Sequence, residues 1–266
     1  MIYLNGTPLN VTMFPDNTSQ VWKLHEQTLK ESNYAHVTWE FQHEGEFMHL
    51  AQLRSLLRIN GIKTDLKLKY LPYGRQDKRI ANDATFALWT FATLLNFLGF
   101  NEVVCMDPHS LIAADLIMNF KAVYPLDQVM KIAYDLNIDL FAYPDAGAVD
   151  KYTGGEDVQK EIYDYPCIYG EKVRDQATGN ITSYKLIGSP ADKKVLIVDD
   201  ICDGGMTFKL LTKDLLAAGA TEVHLFVTHG IFSKGLGTLF ESGIKRIFTQ
   251  DGEASTHQNQ ITYRRL

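Results

Sequence analysis

A chain of 266 residues that is 45% hydrophobic has material for one large domain or two smaller ones, and no stretch is biased enough to read as disordered. A net charge of −6 excludes a general nucleic-acid coat, which needs a basic face. Cys105, Cys167 and Cys202 are odd in number and widely spaced, which excludes a disulfide framework or a zinc site and fits a reducing compartment, the cytoplasm.

The chain opens MIYLNGTPLNV, with no basic stretch leading into an apolar core, so no signal peptide is expected. Residues 37–41 read as a strand, 46–59 as a helix and 66–71 as a second strand. The most apolar run, ATFALWTFATLLNFLGF (84–100), is slightly short for a membrane span and is interrupted by Thr90, Thr93 and Asn96. Apolar nearly all round, it predicts a buried or interface helix over 84–98 rather than a membrane segment. A strand over 102–106 follows, then helices over 110–118 and 126–136 and a strand over 140–143. The last part carries strands over 194–198, 223–228 and 246–249 and helices over 207–218 and 235–241. Strands alternating with helices of this length predict βαβ units and a parallel sheet. LGFNEVVCMDPHS (98–110) is echoed by AGATEVHLFVTHG (218–230), and the interval from Glu102 to His109 equals that from Glu222 to His229. Two similar α/β domains are therefore expected, 1–124 and 125–266, each a mainly parallel sheet flanked by helices.

VLIVDDICDGGMTF (195–208) is the segment richest in chemistry. Four apolar residues run into Asp199 and Asp200, then Asp203, Gly204 and Gly205. A strand apolar at successive positions is one covered on both faces, and ligands of open parallel sheets bind beyond the carboxyl ends of the strands. Thr207 is expected to cap the next helix, with Phe208, Leu211 and Leu215 on its inner face and Gly219 as its stop. The loop 203–207 then lies at a helix N-terminus, where unpaired N–H groups and the positive end of the dipole can hold a phosphate. Carboxylates beside a phosphate suit ribose hydroxyls or a magnesium ion. A tight turn capped by Asp200 and Asp203 is the plainer alternative.

An apolar strand followed by Asp-Asp-x-x-Asp-Gly-Gly-x-Thr resembles the phosphoribosyl diphosphate signature of type I phosphoribosyltransferases and of ribose-phosphate diphosphokinases. Three further segments resemble the second family. YLPYGRQDKR (70–79) is similar to its ATP-contacting Tyr-Ala-Arg-Gln-Asp-Lys/Arg segment, MDPHS (106–110) to its Asp-Leu-His segment, and AYPDAGAVDKY (142–152) to its Ser-Pro-Asp-x-Gly-Gly segment. Read singly, these are a solvated basic face, a structural histidine and an ordinary turn; together and in order they carry the resemblance. EKVRD supplies Lys172 and Arg174, aligned with the Lys-x-Arg of the family's mobile catalytic loop, and the polar DQATGNITSY (175–184) follows. An exposed basic hairpin is the alternative for that stretch. MFPDNTS (13–19) matches, at Phe14 and Asp16, a segment that meets adenine from a neighbouring subunit, with Thr18 where the family has glutamate. THGIFSKG (228–235) is similar as well, as a strand end and helix start.

The resemblance implies two type I phosphoribosyltransferase-like domains, the ATP side in the first and the ribose phosphate side in the second. It implies magnesium-dependent transfer of the β,γ-diphosphate of ATP to the C1 hydroxyl of ribose 5-phosphate, with release of AMP. Phe14, Asp16, Arg75, Gln76, Asp77 and His109 would hold ATP, and His109 and Asp145 magnesium. Lys172, Arg174 and His109 would act in catalysis. Asp145, Asp199 and Asp200 would meet the ribose, and Asp203, Gly204, Gly205, Met206 and Thr207 the 5-phosphate. The implied partners are ATP and ribose 5-phosphate or a 5′-substituted ribose, with no nucleic acid and no membrane, in a homo-oligomer of at least two chains.

The sequence also departs from the family. The family's loop reads Asp-Thr-x-Gly-Thr, whereas Gly204 here replaces the first threonine and Met206 the late glycine. An altered 5-phosphate cradle beside unaltered carboxylates makes ADP-ribose, in NAD⁺ salvage, the alternative acceptor. Asp83 stands near where family members carry a Ser-Arg pair linked to allosteric phosphate, and there is little room for the family's first helix or its C-terminal segment, so feedback control and the hexamer are not carried over. A phosphoribosyltransferase would leave GRQDKR and MDPHS unexplained. An inactive regulatory homologue would leave His109, Lys172, Arg174 and the three loop aspartates unexplained.

Overall fold

The computed structural model describes residues 1–22, 24, 33–154, 165–174, 181–257 and 260–264. The chain divides into two compact units, Met1–Val123 and Tyr124–Leu266, each with its own hydrophobic core.

The first unit runs β1 (Ile2–Leu4), β2 (Thr7–Pro8), β3 (Thr12–Met13), β4 (Ser19–Gln20), β5 (Tyr34–Trp39), α1 (Glu46–Ile59), β6 (Lys63–Leu68), α2 (Ala87–Leu98), β7 (Val103–Met106), α3 (Ile112–Leu116) and β8 (Phe120–Val123). The sheet order is β2-β1-β5-β6-β7-β8, with β5 to β8 parallel and β1 antiparallel to both its neighbours. In β5, Ala35, Val37 and Trp39 are buried while Tyr34 and His36 are exposed, the alternation of a half-buried strand. Leu50, Leu53 and Leu57 line the buried stripe of α1, and Leu88, Phe91, Ala92 and Leu95 that of α2. The apolar helix expected over 84–98 is buried along that stripe only, since Trp89, Leu94 and Phe97 are 54%, 52% and 82% exposed. It ends at Gly99, which takes the left-handed cap position at φ 67°.

The second unit runs α4 (Leu126–Leu136), β9 (Leu140–Tyr143), α5 (Ala146–Thr153), β10 (Cys167–Arg174), β11 (Ile181–Ile187), β12 (Lys194–Cys202), α6 (Met206–Ala217), β13 (Glu222–Gly230), α7 (Gly237–Glu241), β14 (Ile244–Thr249), β15 (Gly252–His257) and β16 (Gln260–Arg264). Its sheet order is β11-β10-β9-β12-β13-β14-β15-β16. Strands β10, β9, β12, β13 and β14 are parallel, and β11, β15 and β16 antiparallel. Val195, Leu196, Ile197 and Val198 of β12 are at most 1% exposed. Val195 and Ile197 pack with Phe208, Leu211 and Leu215 of α6, while Leu196 and Val198 pack with residues of α4 and α5. Covering on both faces is why this strand is apolar at successive positions. Both units are α/β, with mainly parallel sheets flanked by helices.

Local expectations fail in three places that matter for the site. Strand β12 does not stop at Val198 but continues through Asp199 and Asp200 to Cys202, because its ladder with β13 extends to Ile201↔His229 and Cys202↔Gly230. Pairing with a neighbour overrides the poor strand preference of aspartate. Thr207 is not the N-cap of α6: Gly205 takes that position at φ 76°, and Thr207 lies one residue inside the helix. The Pro-Asp-x-Gly segment is not a simple turn, because Asp145 caps α5.

Candidate active-site crevice

Strand order reverses between β9 and β12. From β9 the chain goes to β10 and β11 on one side; from β12 it goes to β13 and β14 on the other. The helices that follow, α5 and α6, accordingly pack on opposite faces of the sheet. Parallel strands diverging in this way leave a crevice at their carboxyl ends. Asp145 follows β9, while Asp199 and Asp200 lie near the carboxyl end of the neighbouring β12, so residues far apart in sequence come to one crevice.

Each carboxylate is held by a different device. Asp145 Oδ1 accepts the Ala148 N–H at 3.0 Å, which ties it to the first turn of α5. Asp199 Oδ1 accepts the Asp200 N–H at 3.0 Å. Burial, and then the adjacent Asp200 carboxylate, push the Asp199 carboxyl well above the usual carboxylate range. Asp200 is 4% exposed, and its Oδ1 lies 3.7 Å from Lys151 Nζ of α5. Sequence reasoning passes over Lys151, because a segment read as a turn assigns no inner face. The signal is a lysine three residues after Ala148 and next to Tyr152, both inner-face residues of the helix.

The loop 203–205 opens α6. At Gly205 a Cβ would stand 2.9 Å from Leu239 Cδ2, and φ is positive, so the backbone requires glycine there. Gly204 has no positive φ, and its nearest neighbour would be Lys234 Cε at 3.5 Å, an ordinary contact. Lys234, exposed and beside the loop, is the second residue that sequence reasoning leaves out. Met206 begins α6 and is 57% exposed. With glycine as N-cap, no side chain caps the helix, and its first-turn N–H groups are the donors that a helix start leaves without intrahelical partners.

Lys172 and Arg174 lie on β10. That strand pairs with β9 only as far as Tyr169↔Tyr143, and 170–174 run on past the end of β9 paired with β11. Their backbone thus extends beyond the strand end from which Asp145 emerges, at roughly 3.3 Å per residue. They belong to a hairpin strand rather than an irregular loop; 175–180, which begin the expected closing loop, lie outside the described residues.

In the first unit, β6 and β7 are parallel neighbours, so the segments after them, 70–79 and 107–110, share one end of that sheet. Tyr73 adopts φ 61° and donates to Glu44 Oε1 at 2.6 Å, a bond that with burial pushes its phenol up to about 12. Beyond it Arg75 and Gln76 are exposed and Asp77 is half-buried. Asp107 is buried at φ 43°, with its N–H on Val123 O at 2.8 Å, and His109 two residues on is exposed. His229, its counterpart in the echo, instead lies inside β13. Phe14 and Asp16 occupy the turn between β3 and β4. Asp16 Oδ1 accepts from the Thr18 hydroxyl at 2.7 Å and the Thr18 N–H at 3.0 Å, which lowers its pKa. Thr18, the departure from the family, therefore locks this turn.

His109 and Asp145, the candidate magnesium ligands, belong to different units, and among the described residues no three His, Cys, Asp or Glu side chains gather as a metal site. Carboxylate oxygen is nonetheless the donor magnesium prefers, and that ion is commonly held by one or two carboxylates together with substrate phosphates.

Residues 157–260 match the model of the phosphoribosyl transferase domain. Ribose-phosphate pyrophosphokinase 2 of Schizosaccharomyces pombe is 30% identical over 188 residues, 66% of this chain and 56% of that protein. The ribose-phosphate pyrophosphokinase of Cereibacter sphaeroides is 29% identical over 67% of this chain and 54% of its own length. The chain thus spans about half the length of these two relatives. The ribose-phosphate pyrophosphokinase of Saccharolobus solfataricus is 26% identical over 88% of this chain and 81% of that protein. In fold, the chain is similar to phosphoribosylpyrophosphate synthetase from Mycobacterium smegmatis, with a TM-score of 0.72 at 19% identity over 90% of this chain and 78% of that one.

Proposed function

We propose that the chain is a divergent member of the ribose-phosphate pyrophosphokinase family and that it transfers the β,γ-diphosphate of ATP to the C1 hydroxyl of ribose 5-phosphate, releasing AMP. The observation that carries this reading is the crevice between β9 and β12, where Asp145, Asp199 and Asp200 stand beside a glycine loop that opens a helix. Attack by a sugar hydroxyl on phosphorus needs positioning and charge neutralisation more than covalent catalysis. On this reading Asp199 and Asp200 orient the ribose hydroxyls, and the N–H groups around Gly204, Gly205, Met206 and Thr207 hold the 5-phosphate, with Asp203 closing the loop. Arg75, Gln76, Asp77, Phe14 and Asp16 hold ATP. Asp145 and His109 are the residues that would hold magnesium, which supplies charge neutralisation on the phosphates. Lys172 and Arg174 close on the triphosphate, the arginine as a planar fork and the lysine as a point charge. We place the enzyme in the cytoplasm as a homo-oligomer of at least two chains; its three cysteines are free thiols.

A second reading keeps the chemistry and changes the acceptor to ADP-ribose, as a step of NAD⁺ salvage. It is favoured by the loop itself: Gly204 lacks the family's hydroxyl although the backbone does not demand glycine there, and Met206 is exposed beside it. The test is to incubate the protein with magnesium, ATP and each acceptor and to identify the products by mass. AMP and an acceptor carrying a new diphosphate are expected; acceptor-dependent ADP as the main nucleotide product rules the reaction out.

A further inference from the structure

Lys151 stands where α5 would otherwise turn an apolar residue inward. Its side chain is 11% exposed and that of Asp200 6%, with Nζ 3.7 Å from Asp200 Oδ1. Nζ also lies 5.0 Å from the centre of the Tyr152 ring, and that ring stacks on Tyr143 at 5.9 Å and 17°. The ammonium is therefore held on an aromatic support at the edge of the crevice. A buried ion pair is weak evidence of stabilisation, because desolvation offsets much of the attraction. Its partner here is one of two carboxylates in consecutive positions, whose charges repel. We propose that Lys151 is a positioning residue for the acceptor: it holds Asp200 in place and offsets its charge, so that Asp199 and Asp200 can face a vicinal diol together. The ligand class recognised through it is a ribose with both secondary hydroxyls free. The inference rests on the reading of this crevice as the acceptor site.

The experiment titrates ribose 5-phosphate and ADP-ribose into the wild type, Lys151→Met and Lys151→Arg by calorimetry without ATP. In parallel, the KM of acceptor and of ATP is measured in the AMP-forming assay. Lys151→Met is expected to weaken acceptor binding by roughly tenfold or more, because removing one partner of a buried ion pair leaves the other charge uncompensated. The ATP KM should stay unchanged, and Lys151→Arg should recover most of the loss. A merely structural lysine would raise both KM values together or neither. If Lys151→Met does not fold by circular dichroism, Lys151→Gln carries the same comparison. The inference is overturned by a folded variant that binds acceptor as the wild type does, by equal damage to both KM values, or by no recovery with arginine. A wild type that binds neither acceptor overturns the reading of the crevice instead, and the role of Lys151 with it.

Discussion

Gly204 and Gly205 are adjacent and chemically identical, yet they answer to different constraints. Gly205 sits at φ 76° with no room for a Cβ against Leu239. Gly205→Ala is therefore expected to destabilise the protein by about 1–3 kcal/mol, measured by urea unfolding, through strain at a left-handed position. Gly204 and Met206 carry no such demand. The double change Gly204→Thr, Met206→Gly is expected to cost less than about 1 kcal/mol of stability, the scale of a helix-propensity change. Its effect should appear in the ratio of kcat/KM for ribose 5-phosphate to that for ADP-ribose, which is expected to rise by roughly ten- to a hundredfold if a lost phosphate hydrogen bond is restored. An unchanged ratio in a folded variant means that the loop does not select the acceptor. The pairs Asp199–Asp200 and Gly204–Gly205 could be read from the sequence as a ligand site, but which glycine serves the backbone depends on Leu239, a residue on another helix.

Among the elements, the hairpin β10–β11 and the helix α5 flank the crevice from the β9 side. The strand β10 outruns β9 by its last residues, which include Lys172 and Arg174. Lys172→Ala and Arg174→Ala are expected to lower kcat far more than they raise the acceptor KM, each by roughly 10²–10³, because such charges act on the transition state. Steady-state kinetics with saturating ATP check this, and near-normal turnover in both variants removes the hairpin from the mechanism. The hairpin was hard to see in sequence: its strands, CIYGEKVR and ITSYKLI, show neither strict alternation nor a long apolar run. Helix α5 was missed for the related reason that eight residues give two turns, too few for a clear period.

At the scale of the whole molecule, the second unit has cores on both faces of its sheet, and among the described residues these are built from its own side chains. Residues 124–266 expressed alone are therefore expected to unfold in one cooperative thermal transition followed by circular dichroism. The same fragment should form no AMP, because Arg75, Gln76, Asp77 and His109 belong to the first unit. A fragment with no transition would mean that its core depends on the rest of the chain.

From the sequence by itself came the α/β alternation, the helices Glu46–Ile59 and Leu126–Leu136 and the strand Leu140–Tyr143 at their observed bounds, and the carboxylate–glycine segment after the buried apolar run 195–198. These follow from local periodicity, which a few neighbouring residues suffice to set. Only the tertiary structure decided that β12 lies beside β9, so that Asp145 and Asp200 share one crevice, and that Lys151 turns inward to meet Asp200. Strand order and the partner of a buried charge depend on residues remote in the chain. No local pattern specifies them, and they are settled when the sheet assembles and each buried charge must find an opposite one.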